Sequence, residues 1–542
     1  MIKIKVNDKE FQFAKKVKLE DLSKEIPGTF YAAKVNNRLR ELTYYVSNDA
    51  EVEFLDLNNY DAMRTYEASL RYLIVMAFSN IYKDVQIKFS HSISMGIYGQ
   101  ALNKSIDQKM LNEVTNEMKR LVDLNLPIER KIYSVEEIKE YYEKMGYEDK
   151  IRTLKYRKEN VNVYECNGYI NYMYSYMVPS TGYLKDYNLL FYYPGFIAQF
   201  PRIETNGQIP EFVDSPVFIR NLHKAASWAD LTNSDMVYKL NNIVEENNIV
   251  QFVNMCETRH NHQLKELGDK IIEDIDTIKL IAIAGPSSSG KTTFSKRLEI
   301  ELLTRGIKPL MISIDNYYLP AEKAPLDEFG KPDFEHIKAL DLELFNQNMI
   351  DLINRKEVDL PFFDFELRER KIRKKVKLDN NTIIIIEGIH ALNDELTKYI
   401  PKEQKFKIYI SPLPQKNIDN HNPINLTDLR MLRRIVRDKR FRNTPPIKTL
   451  EMWPSVRRGE HKWIYPYMEG ANYIFNSELS YELLVMKKYA IDALKAIESD
   501  SEYYIAANRL LKFLKYFRSI DDDIIPCNSI LREFIGGSVF KE

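Results

Sequence analysis

The sequence predicts an α/β multidomain protein. A P-loop core built on a parallel sheet occupies about residues 278–480. It is preceded by a β-grasp domain and then by an α+β domain. Three observations predict this. From Lys279 the chain repeats strand, loop, helix, strand, and "LIAIA", "PLMISI" and "TIIIIE" are short, continuous, β-branched runs. Such runs fit strands covered on both faces. The stretch "IAIAGPSSSGKTTFSKRL" (281–298) reads as a strand, a loop of small residues and the start of a helix. Third, the first 58 residues alternate short strand and turn signals, unlike anything after them. A chain of 542 residues has room for about three or four domains.

In residues 1 to about 58, "IKIKV" and "EFQFA" flank "NDK", a hairpin signal, and "LEDLSKEI" offers a short helix. "YAAKVNNRL" and "AEVEFLDL", joined by "SNDA", supply further strands. Residues 60–205 contain the helical pattern "YDAMRTYEASLRYLIVMAFSNIY" and the amphipathic "DQKMLNEVTNEMKRLVDL". "SVEEIKEYYEKMG" opens with a capping-box pair, Ser134 and Glu137, and ends near Gly146. "VNVYECNGYINYMYSYMV" predicts strands. Residues 206–277 predict a helical connector packed on the next domain, and residues 481–542 a further helical segment. Its end, "IPCNSILREFIGGSVF", suggests no chemistry.

Hydrophobic residues make up 44% of the chain, enough for real cores. Lys+Arg and Asp+Glu balance at 78 each, so no global field favours nucleic acid or a membrane, and any basic site must be local. Cys166, Cys256 and Cys527 are too far apart for a disulfide framework and fit a reducing cytosol. The start "MIKIKVNDKEFQF" is no signal peptide, and no uninterrupted apolar run approaches the length of a membrane span. The expected location is cytoplasmic.

Gly285, Gly290, Lys291 and Thr292 match the pattern G-x-x-x-x-G-K-[ST]. The glycines permit tight turns, so that backbone N–H groups face phosphate oxygens, and the following helix points its positive end at the same place. Lys291 reaches the β- and γ-phosphates of ATP, and the Thr292 hydroxyl can ligate Mg²⁺. Ser287, Ser288, Ser289 and Thr293 complete the expected ATP-binding set. Two carboxylates end strands. Glu387, after four isoleucines, is either a direct or water-mediated Mg²⁺ ligand or a turn carboxylate. Asp315 in "PLMISIDNYYLP" either accepts a proton from an acceptor hydroxyl or caps a helix.

Arg430, Arg433, Arg434 and Arg437 recur at three- and four-residue steps, with Arg440 and Arg442 following. One helix face can carry the first four. Two or three of the series are expected on phosphate, the rest on a solvated face, and "RNTPPIKTL" is expected to be a mobile lid. "RERKIRKKVK" (368–377) predicts an exposed hairpin. His336 and His390 line an acceptor pocket or simply pack. Trp453 is a core residue or a base-stacking one, and Arg457 and Arg458 are phosphate candidates. His260 and His262 have the wrong spacing for one metal-binding helix face.

Taken in order, "GPSSSGKTTFSKRL", "SIDNYY", "DFEL", "IIIEGIHAL" and "RRIVRD" resemble the uridine kinase and phosphoribulokinase-like group of P-loop kinases over about 278–480. The resemblance implies phosphorylation of a nucleoside 5′-hydroxyl with ATP and Mg²⁺. It implies Asp315 as catalytic base and Glu387 as the acidic residue of the "EG[IL]" motif. Arg434, Arg437 and Arg442 match the lid arginines. Tyr318 and Phe365 take the places of aromatics near the nucleoside, and Asp333 or Asp341 that of an acid on the ribose hydroxyls. Where uridine kinases place a histidine against the pyrimidine edge, this chain has "FDFELRER". Arg368 occupies or neighbours that place, so a base edge with acceptors is favoured.

Residues 1–58 resemble a TGS domain, and residues 60–205 resemble the second additional domain of threonyl-tRNA synthetases. Ala68 and Tyr72 take the places of that domain's paired histidines, and "YSYMVPSTG" lacks its Cys–His pair, so its hydrolytic chemistry is expected to be absent. The expected partners are a nucleoside, with RNA at the N-terminal half as an alternative, no membrane, and further copies of the chain. Two functions follow: an ATP-dependent nucleoside kinase, or an RNA- or ribosome-associated regulator using the loop as a nucleotide switch. A kinase for another small hydroxyl substrate is a variant of the first.

Overall fold

The computed structural model describes all residues except 157–159, 329, 365–368 and 541–542. At its centre is a five-stranded parallel sheet, in spatial order Lys308–Ser313, Thr382–Glu387, Leu280–Ala284, Lys405–Ser411, Tyr473–Asn476. The isoleucine runs are explained by what covers them. Ile281 and Ile283 face one apolar cluster, while Leu280, Ala282 and Ala284 face another. Ile383 and Ile385 alternate with Ile384 and Ile386 in the same way. Both faces are dry, so no position on these strands calls for a polar residue.

The first face is covered by helices Ile249–Glu273, Lys291–Thr304, Leu426–Phe441, Glu482–Leu494 and Tyr504–Leu514; the second by Pro216–Leu231 and Leu342–Ile353. The expected connector therefore clasps the sheet from both sides. The C-terminal segment shares the core too: Leu484, Leu510, Ile530 and Phe534 belong to the same apolar cluster as Ile281.

The N-terminal strands Ile2–Val6 and Lys9–Phe13 pair antiparallel, as the hairpin signal predicts. Ile2–Val6 runs parallel to Ala50–Leu55, which pairs antiparallel with Ala32–Val35. The next region holds a four-stranded and a three-stranded antiparallel sheet against the buried helix Tyr60–Ile81. Helix Val135–Met145 has the predicted capping box and ends at Gly146 with a left-handed φ of 70°. The Tyr/Val-rich strands stop at Asn171, earlier than the sequence pattern suggests. Beyond it Tyr174 donates its N–H to Asn422 Oδ1 rather than to a ladder partner.

Ion pairs help to seat the N-terminal half on the core. Lys150 and Asp419, both almost fully buried, pair at 2.9 Å. Asp428, at the start of helix Leu426–Phe441, is held by Arg64 at 2.8 Å and by Arg509. Lys88 pairs with Asp235 at 3.0 Å. Among the described residues, no helix is long and apolar enough to cross a membrane.

Candidate active site

The glycine-rich loop connects strand Leu280–Ala284 to helix Lys291–Thr304. A β-carbon at Gly285 would lie 2.0 Å from the Ile410 carbonyl oxygen of the adjacent strand, so only glycine fits. Gly290 has φ of 90° and Ser288 of 60°, the left-handed turns that aim loop amides inward. Ser288 and Ser289 are buried, Thr292 is exposed on the first helical turn, and Thr293 is buried behind it. Lys291 Nζ donates to the Gly285 carbonyl at 2.9 Å and to that of Pro286 at 3.3 Å.

Strand register brings the two carboxylates to this loop. Glu387 lies opposite Ile283 on one side and Ser313 on the other. Asp315 follows Ser313 in a short 3₁₀ turn, Ile314–Tyr317. All three strands are parallel, so their C-terminal ends share one edge. Burial, and then the charge of Asp315, push the Glu387 carboxyl up to about 7, against the pull of Lys291. Burial also raises Asp315, opposed by Lys291 and Arg442. Burial lowers Lys291, opposed by Glu387, Asp315 and Glu533. These groups sense one another's charge, and two crowded carboxylates create demand for a cation.

The arginine helix divides by depth. Arg430 and Arg433 are fully buried and form ion pairs with Glu460 and Glu482. Both also brace the loop from behind: Arg430 Nε donates to Ser287 O at 3.1 Å, and Arg433 Nη1 to Ser288 O at 3.3 Å. Arg434 Nη1 reaches Ser287 Oγ at 2.9 Å. Arg434 and Arg437 share Asp438, and Arg437 is close enough to depress Lys291. Arg442, half exposed at the helix end, lies 3.8 Å from Asp438 and acts on Asp315. A solvated basic face is therefore the wrong description of the first four arginines. The stretch "RNTPPIKTL" enters a helix at Pro446 that runs to Trp463, and Thr449, Leu450 and Trp453 of that helix are buried. Trp453 is a core residue with the Arg430 guanidinium 5.6 Å from its ring centre. Arg457 pairs with Glu460 and Arg458 approaches Glu328, so protein carboxylates already engage both phosphate candidates.

On the acceptor side, the Tyr318 hydroxyl donates to Phe334 O at 3.0 Å, and its ring meets Phe334 and Phe363 edge-on. Asp333 accepts the Glu335 N–H at 3.1 Å and lies within electrostatic reach of Tyr318. Asp341 instead caps helix Leu342–Ile353 and pairs with Arg370 at 2.8 Å. Trp463 stacks edge-on with His336 and His390. Burial lowers His390 to about 4, so the ring is neutral at pH 7. Phe365 and Arg368 lie outside the described residues. The flanking strands Val358–Asp364 and Glu369–Val376 do pair as the predicted hairpin.

Four acids here went unsingled by sequence reasoning: Glu335, Glu460, Glu482 and Glu533. Glu335 sits two residues after Asp333, and burial with the nearby Glu460 raises it to about 7. The others are far from the loop in sequence and belong to no motif.

In the synthetase-like region, Ala68 and Tyr72 are buried, and the Tyr72 hydroxyl donates to Tyr169 O at 2.7 Å. Tyr169 contacts Tyr147, and Tyr147 meets His421 edge-on at 5.2 Å. The turn 419–422 of the core is thus packed among the aromatics of that region. His260 is buried with Nε2 3.2 Å from Glu478 O, while His262 lies on the opposite, groove-facing side of its helix.

A model of the Phosphoribulokinase / Uridine kinase family matches residues 280–480. A uridine kinase from Macrococcus caseolyticus is 31% identical over 196 residues, covering 36% of this chain and 86% of that protein. One from Anoxybacillus flavithermus is 27% identical over 213 residues, 38% of this chain and 92% of that protein. The N-terminal part matches threonine–tRNA ligase 1 of Bacillus subtilis at 31% identity over 186 residues, 33% of this chain and 29% of the ligase.

Proposed function

The chain belongs to the phosphoribulokinase/uridine kinase family, and on that premise we propose that it transfers the γ-phosphoryl group of ATP to the 5′-hydroxyl of a nucleoside. The observation that carries this reading is the placement of Asp315. Strand register sets it at the same sheet edge as the glycine-rich loop and Glu387, within electrostatic reach of Lys291 and Arg442. A switch that only binds nucleotide has no use for a buried carboxylate beside the γ-phosphate position. A kinase needs one to accept the hydroxyl proton as the oxygen attacks phosphorus.

The roles follow from position. Loop amides and Lys291 bind the triphosphate. Thr292 and Glu387 would hold Mg²⁺, which when bound neutralises charge on the phosphate oxygens. Arg437, which acts on Lys291, and Arg442, which acts on Asp315, are assigned to the charge that moves from ATP to acceptor, and Arg434 orders the loop through Ser287. Tyr318, Asp333 and His390 are assigned to the acceptor in this reading, with Tyr318 and Trp463 offering aromatic surface for a base.

The test is ATP consumption against a nucleoside panel. One nucleoside should yield a 5′-monophosphate, and Asp315→Asn should abolish turnover while leaving ATP binding largely intact. The match to a threonine–tRNA ligase favours a second reading, an RNA-associated regulator. ATP turnover that requires RNA and ignores every nucleoside would select it.

A further inference from the structure

The C-terminal stretch that carried no chemical reading lies on the phosphate loop. Glu533 Oε2 accepts the backbone N–H of Thr293 at 3.1 Å. Ile530 packs against Gly290 so closely that a β-carbon there would lie 2.5 Å from Ile530 Cγ2. The Glu533 charge is felt by both Lys291 and Glu387. These observations involve different atoms of the segment and different parts of the loop.

The Thr293 N–H is one of the first donors of helix Lys291–Thr304, which no intrahelical carbonyl can satisfy. Such donors, at the positive end of a helix, are those an anionic phosphate uses. Glu533 supplies an anion of its own. Ile530 meanwhile fills the space beside the loop glycine, where a β-carbon would meet it at 2.5 Å. A carboxylate and a phosphate oxygen cannot both accept this hydrogen bond in the same place.

The segment is seated firmly. Ile530, Leu531, Phe534 and Ile535 are buried, and the Phe534 ring lies 5.0 Å beneath the Arg433 guanidinium, which itself braces the loop. The segment is also a closed unit. Val539 donates its N–H to Cys527 O at 3.0 Å, Arg532 donates to Asp522 O and Ile525 O, and Gly536 and Gly537 turn the chain with positive φ.

We propose that residues 529–537 form an autoinhibitory plug: the Glu533 carboxylate takes a phosphate position on the loop, Ile530 closes the space over Gly290, and ATP binds only when the plug withdraws. The apparent affinity for ATP is then the intrinsic affinity reduced by the fraction of molecules with the plug out. This inference rests on 285–293 being the ATP site.

The experiment measures equilibrium binding of a fluorescent ATP analogue to the full chain, its Glu533→Ala and Glu533→Gln variants, and Lys291→Ala made in the wild-type and Glu533→Ala backgrounds. Glu533→Ala should bind at least tenfold more tightly than wild type. Glu533→Gln, which keeps an acceptor oxygen without the charge, should fall between them. Hydrogen exchange at residues 530–535 should quicken when ATP is added. If Glu533→Ala and Glu533→Gln bind no more tightly than wild type, or if ATP slows exchange in 530–535, the segment is a wall of the pocket and the plug is wrong. If no variant binds the analogue, or Lys291→Ala leaves binding unchanged, the ATP-site reading itself has failed and takes the plug with it.

Discussion

Arg430 donates from Nε to the carbonyl oxygen of Ser287 at 3.1 Å while the rest of its guanidinium lies on Glu460. A fully buried cation is thus shared between a structural carboxylate and the loop that would carry ATP. Arg433 repeats the arrangement with Ser288 and Glu482 one turn on. The loop's outer face is held by fixed positive charge, so its amides are left to point inward.

Removing the counter-charge tests this. In Glu460→Gln, Arg430 and Arg457 both lose the carboxylate that balances them. Breaking a buried pair from one side costs about 3–5 kcal/mol. Denaturant titration should show a loss in that range, and ATP affinity should fall as the loop loosens. A midpoint equal to wild type would show that Glu460 carries little of the balance.

Glu335 gives a prediction with a pH signature. Burial, then Glu460, raise its carboxyl from 4.5 to about 7. Between those values the folded chain holds a proton that the unfolded chain has released. Stability therefore falls as pH rises from about 4.5 to about 7, and stays low above. Glu335→Gln has no such group. It should match wild type near pH 4 and exceed it by about 3 kcal/mol at pH 8. Thermal melts at the two pH values measure this, and a gap independent of pH would contradict it.

Asp428 should behave in the opposite sense. Burial alone would raise it, but Arg509 and Arg64 outweigh that and hold it below its usual value of 3.8. Its contribution is present above that value and is lost as pH falls through the lower folded one. Asp428→Asn should cost about 3 kcal/mol at pH 7 and progressively less in acid. Since Arg64 and Arg509 come from different parts of the chain, the variant should also loosen the N-terminal half, read as faster proteolysis between the two.

Lys150 and Asp419 pair at 2.9 Å with side chains 2% and 1% exposed. Lys150→Met leaves Asp419 buried without its cation and should destabilise by about 3–5 kcal/mol. Hydrogen exchange should rise first in the hairpin that includes Asn417–Asp419. Exchange confined elsewhere would mean that the two halves are joined by other contacts.

Much of the sheet and loop could be read from residues close in sequence. Continuous runs of buried isoleucines, a glycine spacing and a carboxylate at each strand end are local patterns. Parallel register then makes their convergence nearly automatic, because strands that run the same way end at the same edge. The capping box at Ser134 and Glu137 was legible for the same reason, since both partners lie within one turn. The helix from Pro446 was not legible in "RNTPPIKTL", because its prolines signal a turn locally while burial of Thr449 and Trp453 fixes the helix that follows. Arg368 and Phe365 lie where the structure describes nothing, so what faces the base edge stays with the sequence.

The sequence by itself determined the candidates for the site: a phosphate-loop pattern at 285–292 and two carboxylates at strand ends, in their order along the chain. Tertiary structure alone decided which charges face that site and which are sealed behind it. Arg430 and Arg434 share one helix and are both buried, yet Arg430 is sealed on Glu460 while Arg434 reaches the Ser287 hydroxyl and Asp438. Glu533 stands 240 residues from Thr293, and no spacing rule connects them. Local geometry follows from backbone sterics a few bonds long, whereas the cost of burying a charge depends on every element packed around it.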